Sequence, residues 1–146
     1  MKRIILALLI ALLPSVSQAQ LKIKSKTEAA ETICSYRTGY EKLLYSEDLG
    51  YYLCLGSTNR YDKPLLFPLG EDKESAVATL KDLLSLPEAI GNEDMITVEG
   101  FVGEQVRISV EELLGIKGIN FKGEGMAGTG GITPSNLKKM INKLSE

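Results

Sequence analysis

Apolar and polar residues follow a regular pattern through most of the chain, and its first part has the pattern of β-strands. Three segments between residues 33 and 56 are rich in β-branched and aromatic residues. Thr38-Gly39 separates the first two and Ser46–Gly50 the next two, both with residues typical of turns. This pattern predicts a three-stranded antiparallel meander. Its strands are Ile33–Arg37, Tyr40–Tyr45 and Tyr51–Gly56.

The pattern changes to a helical one in the next part of the chain. Leu65–Phe67 is predicted to be a short edge strand, because Pro64 and Pro68 flank it and proline cannot donate a hydrogen bond to a neighbouring strand. After Gly70, apolar residues recur at helical spacing until Pro87, which is expected to end the helix. The apolar face of this helix consists of Ala76, Val77, Leu80, Leu83 and Leu84.

Alternation typical of strands returns in the second half. Met95–Glu99 and Glu104–Val110 are predicted strands on either side of a glycine-bounded turn, and Ile119–Phe121 is a further short strand. Ser109–Glu112 fits a capping box, in which a serine and a glutamate three residues later satisfy each other's backbone. A helical turn is therefore expected over Val110–Leu114.

The last predicted element is a helix that begins at Thr133-Pro134, a favourable cap followed by a favourable first residue. Its apolar face consists of Leu137, Met140, Ile141 and Leu144. Together the elements predict an α+β fold. It has a mainly antiparallel sheet, made of the N-terminal three-stranded meander plus further short strands, with two amphipathic helices packed on one face. No internal sequence repeat is visible.

The N-terminal segment has the three-part layout of a secretory signal peptide, with bacterial proportions. Lys2 and Arg3 precede the apolar run Ile4–Leu13. Ser17–Ala19 offers small residues at the two positions that a signal peptidase reads. An apolar run of this length spans only ~15 Å as a helix, so no membrane anchor is expected after cleavage. Cleavage after Ala19 removes residues 1–19 and leaves residues 20–146 as a single small α+β domain, exported to the periplasm or the exterior.

Composition narrows the chemistry that this domain can perform. The chain contains no histidine, which excludes Ser-His-Asp and Cys-His catalytic sites and zinc sites built on imidazole. No metal site and no cofactor is therefore expected. Removal of Lys2 and Arg3 with the signal takes the formal net charge from −2 to −4. No basic face is visible in the sequence, so a nucleic-acid partner is not expected.

Cys34 and Cys54 are the two cysteines of the chain. In an oxidising compartment they are a candidate disulfide, which would close a loop of about twenty residues and add ~3 kcal/mol in the chain-entropy model. The alternative is two buried free thiols, since cysteine is also a common core residue. Counting residues through two hairpins places the two side chains on opposite faces of the sheet, and a single bulge would reverse this.

Gly123–Gly131 is rich in glycine, and its first six residues match the dinucleotide-binding pattern G-x-G-x-x-G. That pattern requires a helix that opens at its last glycine. Here the predicted helix opens later, at Thr133, so a connector or a tight turn is the preferred interpretation. The weaker alternative is an anion held by backbone N–H groups at the start of that helix.

Neighbouring acidic residues and one Ser–Lys spacing are the remaining candidates for catalysis. Carboxylate catalysis needs two acids that face one cleft, whereas neighbours in sequence point apart. Ser135 and Lys138 match S-x-x-K, but they lie at the start of the last helix. No catalytic residue is therefore assigned. The acidic pairs, all at turns or helix starts, are Glu47-Asp48, Glu71-Asp72, Glu93-Asp94 and Glu111-Glu112.

Tyrosine is concentrated in one part of the chain, since all six tyrosines lie between residues 36 and 61. Tyrosine and arginine are typical of partner-binding surfaces. A tyrosine-bearing sheet face together with the loop Ser57–Lys63 is therefore the candidate contact surface. The alternative is that tyrosine simply favours strands. The candidate binding residues are Tyr45, Tyr51, Asn59, Arg60 and Tyr61.

These observations predict a secreted or periplasmic binding or accessory module without catalytic activity. Its partner is expected to be another envelope or extracellular macromolecule. The first alternative is a secreted inhibitor that holds another enzyme with the loop Ser57–Lys63 or Gly123–Gly131. A more distant alternative is a histidine-free hydrolase that uses carboxylates.

Overall fold

A computed structural model describes residues 29–57, 59, 61–125 and 128–146. The predicted signal peptide, residues 1–19, lies outside the described residues. Eight strands form two antiparallel four-stranded sheets, and two helices accompany them, so the predicted α+β fold with mainly antiparallel sheet is confirmed. The elements are β1 (Glu31–Tyr36), β2 (Glu41–Ser46), β3 (Gly50–Leu55), β4 (Leu65–Gly70), α1 (Lys73–Ala89), β5 (Met95–Glu99), β6 (Gln105–Leu113), β7 (Ile116–Gly123), β8 (Thr129–Ile132) and α2 (Pro134–Ser145).

The order of elements repeats along the chain. Each half contains a strand, a short 3-10 turn, three further strands and a helix. The two turns, Arg37–Gly39 and Phe101–Gly103, each place a non-glycine residue in the left-handed region, Thr38 at φ 56° and Val102 at φ 54°. The sheets have the same strand order, β1-β2-β3-β4 and β5-β6-β7-β8. The molecule is therefore built from two similar halves that show no visible repeat in sequence.

The two halves meet in one hydrophobic core. Strand β3 contacts β8, β4 contacts β7, and the two helices pack against each other. The two strand contacts are reciprocal, but the helices are not equivalent, since α1 packs on β4 whereas α2 packs on β1. The rings of Phe67 and Phe121 lie 5.2 Å apart at this junction. A Cβ added at Gly130 would overlap Leu55, so the glycine lets the two sheets approach.

Register defines which residues of the two sheets correspond. In the first sheet, one row of core-facing residues crosses all four strands, and an equivalent row crosses the second sheet. Matching these rows matches every neighbouring residue on β2, β3 and β4 with one on β6, β7 and β8. The two rows are Cys34, Leu43, Leu53 and Phe67, and Ile96, Ile108, Phe121 and Gly130.

Both helices begin with the caps that the sequence favours. Asp72 caps α1 by accepting from the Ser75 N–H at 2.8 Å, and the Thr133 side chain caps α2. The prediction that Pro87 ends α1 is wrong, because the helix continues to Ala89. Proline in the last turn removes only its own N–H bond, and the Ile90 N–H still bonds the carbonyl of Leu86 at 3.0 Å.

Strand β6 continues where the sequence predicted a helical turn, so that prediction is wrong. Glu111 pairs with Gly118, Glu112 with Lys117 and Leu113 with Ile116, which extends the β6–β7 hairpin. Leu114 and Gly115 form its turn, both left-handed, at φ 54° and 77°. The backbone bonds of the hairpin satisfy the groups that a capping box would have satisfied.

The glycine-rich segment is a hairpin rather than a phosphate-binding loop. The Gly123 N–H donates to the Gly128 carbonyl at 2.9 Å, and Thr129–Ile132 forms the next strand. Helix α2 starts only after this strand. The interpretation as a tight turn therefore holds for the described residues 123–125 and 128. Residues 129–131 belong to strand β8.

The two cysteines are free thiols, so the candidate disulfide is not formed. Cys34 pairs with core-facing Leu43, whereas Cys54 pairs with Lys42 on the opposite face. The bulge in β1 lies between Thr32 and Cys34, beyond the part of the strand that the count crosses. Burial raises the pKa of both thiols. Among the described helices, none is long and apolar enough to cross a membrane.

Candidate functional site

The outer faces of the two sheets, which point away from the core, differ in chemistry although their backbones correspond. On the first sheet this face is mostly apolar, and on the second it is polar. The residues of the first outer face are Lys42, Leu44, Tyr52, Cys54, Leu66 and Pro68. Their counterparts on the second, in the same order, are Arg107, Ser109, Asn120, Lys122, Thr129 and Gly131.

An aromatic pair covers part of the first outer face. Phe101, the first residue of the second 3-10 turn, packs edge-on against Tyr52 with 5.9 Å between ring centroids. Only 5% of Tyr52 remains exposed. A turn of one half therefore covers Tyr52 on the outer face of the other half, whereas Leu66 on the same face is 40% exposed.

The second outer face is open at the corresponding place. Arg37, the first residue of the first 3-10 turn, occupies the position that matches Phe101. It lines a cavity of about 400 Å³ together with residues of the second outer face. We call this cavity the groove; its main polar side chains are Arg37, Ser57, Arg107, Ser109, Asn120 and Lys122.

A buried hydrogen-bond network holds Arg37 at the groove. The carboxylate of Glu41 is fully buried, and it accepts from Arg37 Nη1 at 3.1 Å and from Asn136 Nδ2 at 2.7 Å. Lys139 donates to Asn136 Oδ1 at 3.4 Å and lies over the ring of Tyr36. A buried carboxylate needs such partners, and here they connect β2, α2 and the groove.

The groove is locally basic in a chain that is acidic overall. Three cations line it, Arg37, Arg107 and Lys122, whereas Glu111 is the only acid among the described residues of its lining. Arg107 Nη2 forms a half-exposed ion pair with Glu124 Oε1 at 2.9 Å. This arrangement suits a ligand with negative or strongly polar groups.

The loop Ser57–Lys63 borders the groove and is fixed by Asp62. The Asp62 carboxylate accepts from Ser57 Oγ at 2.9 Å, from Asn59 Nδ2 at 3.4 Å and from Thr129 Oγ1 at 3.3 Å. The last bond ties the loop to β8. Next to it, a smaller cavity of about 230 Å³ is lined by residues of the loop and by Lys122. These bonds hold the described residues Ser57, Asn59 and Asp62 together at one end of the groove.

The candidate binding residues from the sequence fall in two separate places. Tyr45 and Tyr51 form a cross-strand pair on the core side of the first sheet, half-buried, with ring centroids 4.8 Å apart. Asn59 and Tyr61 lie in the exposed loop, where Tyr61 is 78% exposed. Arg60 lies outside the described residues. The structure thus brings the loop to the groove and leaves the tyrosine pair away from it.

The sequence does not single out the polar residues of the second sheet as a site. The alternation in Glu104–Val110 did place Arg107 and Ser109 on a polar face, but this is typical of any half-exposed strand. Nothing in the sequence signals that Arg37 approaches them from the other half. The groove is a product of the way the two halves pack.

Within the described part of the chain, no group of three or more acidic or cysteine side chains is placed to hold a metal ion. The single acid in the groove does not form the two-carboxylate arrangement that a glycosidase-like hydrolase requires. Comparison of the chain with protein-family models, with curated proteins and with solved structures gives no significant match.

Proposed function

We propose that this chain is an exported binding module without catalytic activity, and that its ligand occupies the groove on the second sheet. The observation that carries the proposal is the difference between the two outer faces. On the first face Phe101 packs over Tyr52, whereas the equivalent place on the second face is a polar cavity that Arg37 lines.

The first sheet shows how this architecture can fill the same place with its own side chains. Burial of an aromatic pair stabilises a protein through apolar area and ring contact. The second half lacks this stabilisation, since Asn120 stands where Tyr52 stands in the first half. A polar cavity that the same architecture can fill is therefore best explained by a ligand. Its volume of about 400 Å³ lies within the usual range of small-molecule sites.

Export is proposed from the sequence of residues 1–19, whose basic start, apolar run and small-residue end match a secretory signal. The natural source of the ligand is then another envelope or extracellular macromolecule, which would insert one group or a short segment into the groove.

The proposal is tested by affinity capture with residues 20–146 as bait, from envelope extract and from culture fluid. The double variant Arg107→Gln and Lys122→Gln removes two groove cations from exposed positions, so the fold should persist. The material that the natural domain captures should not be captured by this double variant. Lys42→Gln is the matched control, because Lys42 occupies the equivalent of Arg107 on the first outer face. Retention of the bound material by the double variant, or equal loss with the control, would overturn the proposal.

A secreted inhibitor is the second candidate, favoured by the hydrogen bonds among the described residues of the loop Ser57–Lys63. Three hydrogen bonds converge on Asp62 and present Tyr61 at the surface. Rigid loops bind with a smaller entropic penalty. In this case Tyr61→Ala would abolish inhibition of a target enzyme, whereas the groove double variant would leave inhibition intact.

A further inference from the structure

We infer that the ligand of the groove carries a carboxylate or phosphate group, which Arg37, Arg107 and Lys122 bind together. This inference rests on the proposed function and specifies the chemistry of the same site.

The groove contains a pair of like-charged side chains that the fold does not need. Arg107 on β6 and Lys122 on β7 are direct cross-strand partners and line the groove side by side. Like charges directly opposite each other destabilise a sheet. Glu124 pairs with Arg107 only, and Lys122 has no ion-pair partner among the described residues. An anion between the two side chains would relieve this repulsion.

Arg37 is held at the edge of the groove with free hydrogen-bond donors. Its guanidinium has five N–H donors, and the bond to Glu41 uses one of them. The others remain available on a planar group whose geometry suits carboxylate and phosphate oxygens. Because Glu41 is itself held by Asn136, the third cation of the groove is set in place before a ligand arrives.

Charged and uncharged groups of the groove lie in two separate cross-strand rows. One row contains Arg107, Lys122 and Thr129. The next row contains Met95, Ser109 and Asn120, which offer an apolar side chain, a hydroxyl and an amide, respectively. An acidic group of a ligand fits the first row, and the uncharged part of the same ligand fits the second.

The inference is tested by NMR titration of ¹⁵N-labelled residues 20–146, with inorganic phosphate and with succinate as separate probes. Amide shifts are expected at Ser109, Asn120, Lys122 and Thr129 for at least one probe. Removal of one charge-assisted contact, in Arg107→Gln or in Lys122→Gln, should weaken that probe about tenfold or more. The probe that binds more tightly indicates whether the natural group is a phosphate or a carboxylate.

Two further variants make the test specific. Lys42→Gln should leave the affinity for both probes unchanged, because it lies on the first outer face. Arg37→Gln should weaken binding as well, and its amide spectrum shows whether the fold is retained. Shifts spread over the surface, or affinities unaffected by Arg107→Gln and Lys122→Gln, would overturn the anion inference. If neither probe binds while capture still depends on the groove, the anion inference fails and the binding function stands.

Discussion

At the scale of single residues, the buried carboxylate of Glu41 determines how the groove is built. An unpaired buried charge is strongly unfavourable, so its two oxygens must be satisfied inside the protein. Asn136 on α2 and Arg37 on the first turn supply the two donors. The position of the groove cation is therefore coupled to the position of the C-terminal helix. A change at α2 can therefore shift Arg37 without altering any other residue of the groove.

The free thiols give a testable pH dependence. Burial raises the pKa of Cys34 and Cys54 above the usual 9.0, so the folded state holds their protons more tightly than the unfolded state. This stabilisation is complete below pH 9 and is lost as the pH rises through the raised pKa values. The free energy of unfolding should therefore fall above about pH 9, as measured by urea denaturation between pH 7 and 10.5.

The double variant Cys34→Ala and Cys54→Ala should lose the part of this fall nearest pH 9. The remaining part comes from Tyr36 and Tyr52, since burial also raises the pKa of both phenols above 10.0. At pH 7 a reductant should leave the stability of the natural chain unchanged. A lower stability in reductant would contradict the free thiols seen in the structure.

Individual site residues were predictable only where local chemistry defines them. Asn59 and Tyr61 were identified in the loop because turn residues and tyrosine are recognisable in sequence. Glu41 was not identified as buried, because its partner Asn136 is far away along the chain. Tyr45 and Tyr51 were placed in the correct strands. The face of the sheet on which their side chains lie depends on where the core forms, which the local sequence does not define.

At the scale of elements, the β6–β7 hairpin carries a residue that does not suit its turn. Leu114 is 94% exposed and left-handed, a conformation that asparagine adopts more readily than leucine. Leu114→Asn should therefore stabilise the protein by about 1 kcal/mol, measured by urea denaturation. Leu113→Asn is the control, because Leu113 is also exposed apolar surface, at 76%, but lies in extended β6. That change should be neutral or destabilising, and an equal gain from both variants would exclude the backbone explanation.

Helices and strands were predictable where the hydrophobic periodicity and the residues that begin or end an element agree. Met95–Glu99 was predicted with the observed bounds, the alternation in Glu104–Val110 predicted most of β6, and Thr133-Pro134 predicted the start of α2. The prediction failed where a local signal competed with pairing. The capping box at Ser109–Glu112 was overridden by the ladder with β7, and Pro87 was tolerated because the helix had only a short distance left.

At the scale of the whole molecule, the contact between halves depends on a glycine. A side chain at Gly130 would overlap Leu55 of the other sheet. Gly130→Ala should therefore lower the free energy of unfolding by about 1–3 kcal/mol, as overpacking does. Urea denaturation followed by circular dichroism measures this loss.

Gly118→Ala is the matched control for that change. Gly118 lies on β7 with an extended backbone, and a Cβ there would come no closer than 3.9 Å to the Glu111 carbonyl. Its stability should stay close to that of the natural chain. If both alanine variants lose the same stability, the close approach of the sheets is not the cause.

The arrangement of the halves could not be predicted from the sequence. The fold class follows from the type of each element, but the duplication is visible only in backbone order, since Tyr52 and Asn120 occupy equivalent positions with unrelated chemistry. The groove depends on contacts between Arg37 and a sheet formed much later in the chain. Such contacts leave no local pattern.

The repeated element order and the reciprocal strand contacts make this chain resemble, in physical terms, two subunits joined in one polypeptide. The segment from Ile90 to Asp94 serves as the tether, which keeps the two partners at a high effective concentration. Two identical subunits in this arrangement would carry two grooves or two faces covered by an aromatic pair. Two halves with different sequences can carry one of each, and the tether keeps the two halves in a fixed one-to-one ratio. Each chain therefore has one groove on the second sheet and one different face on the first.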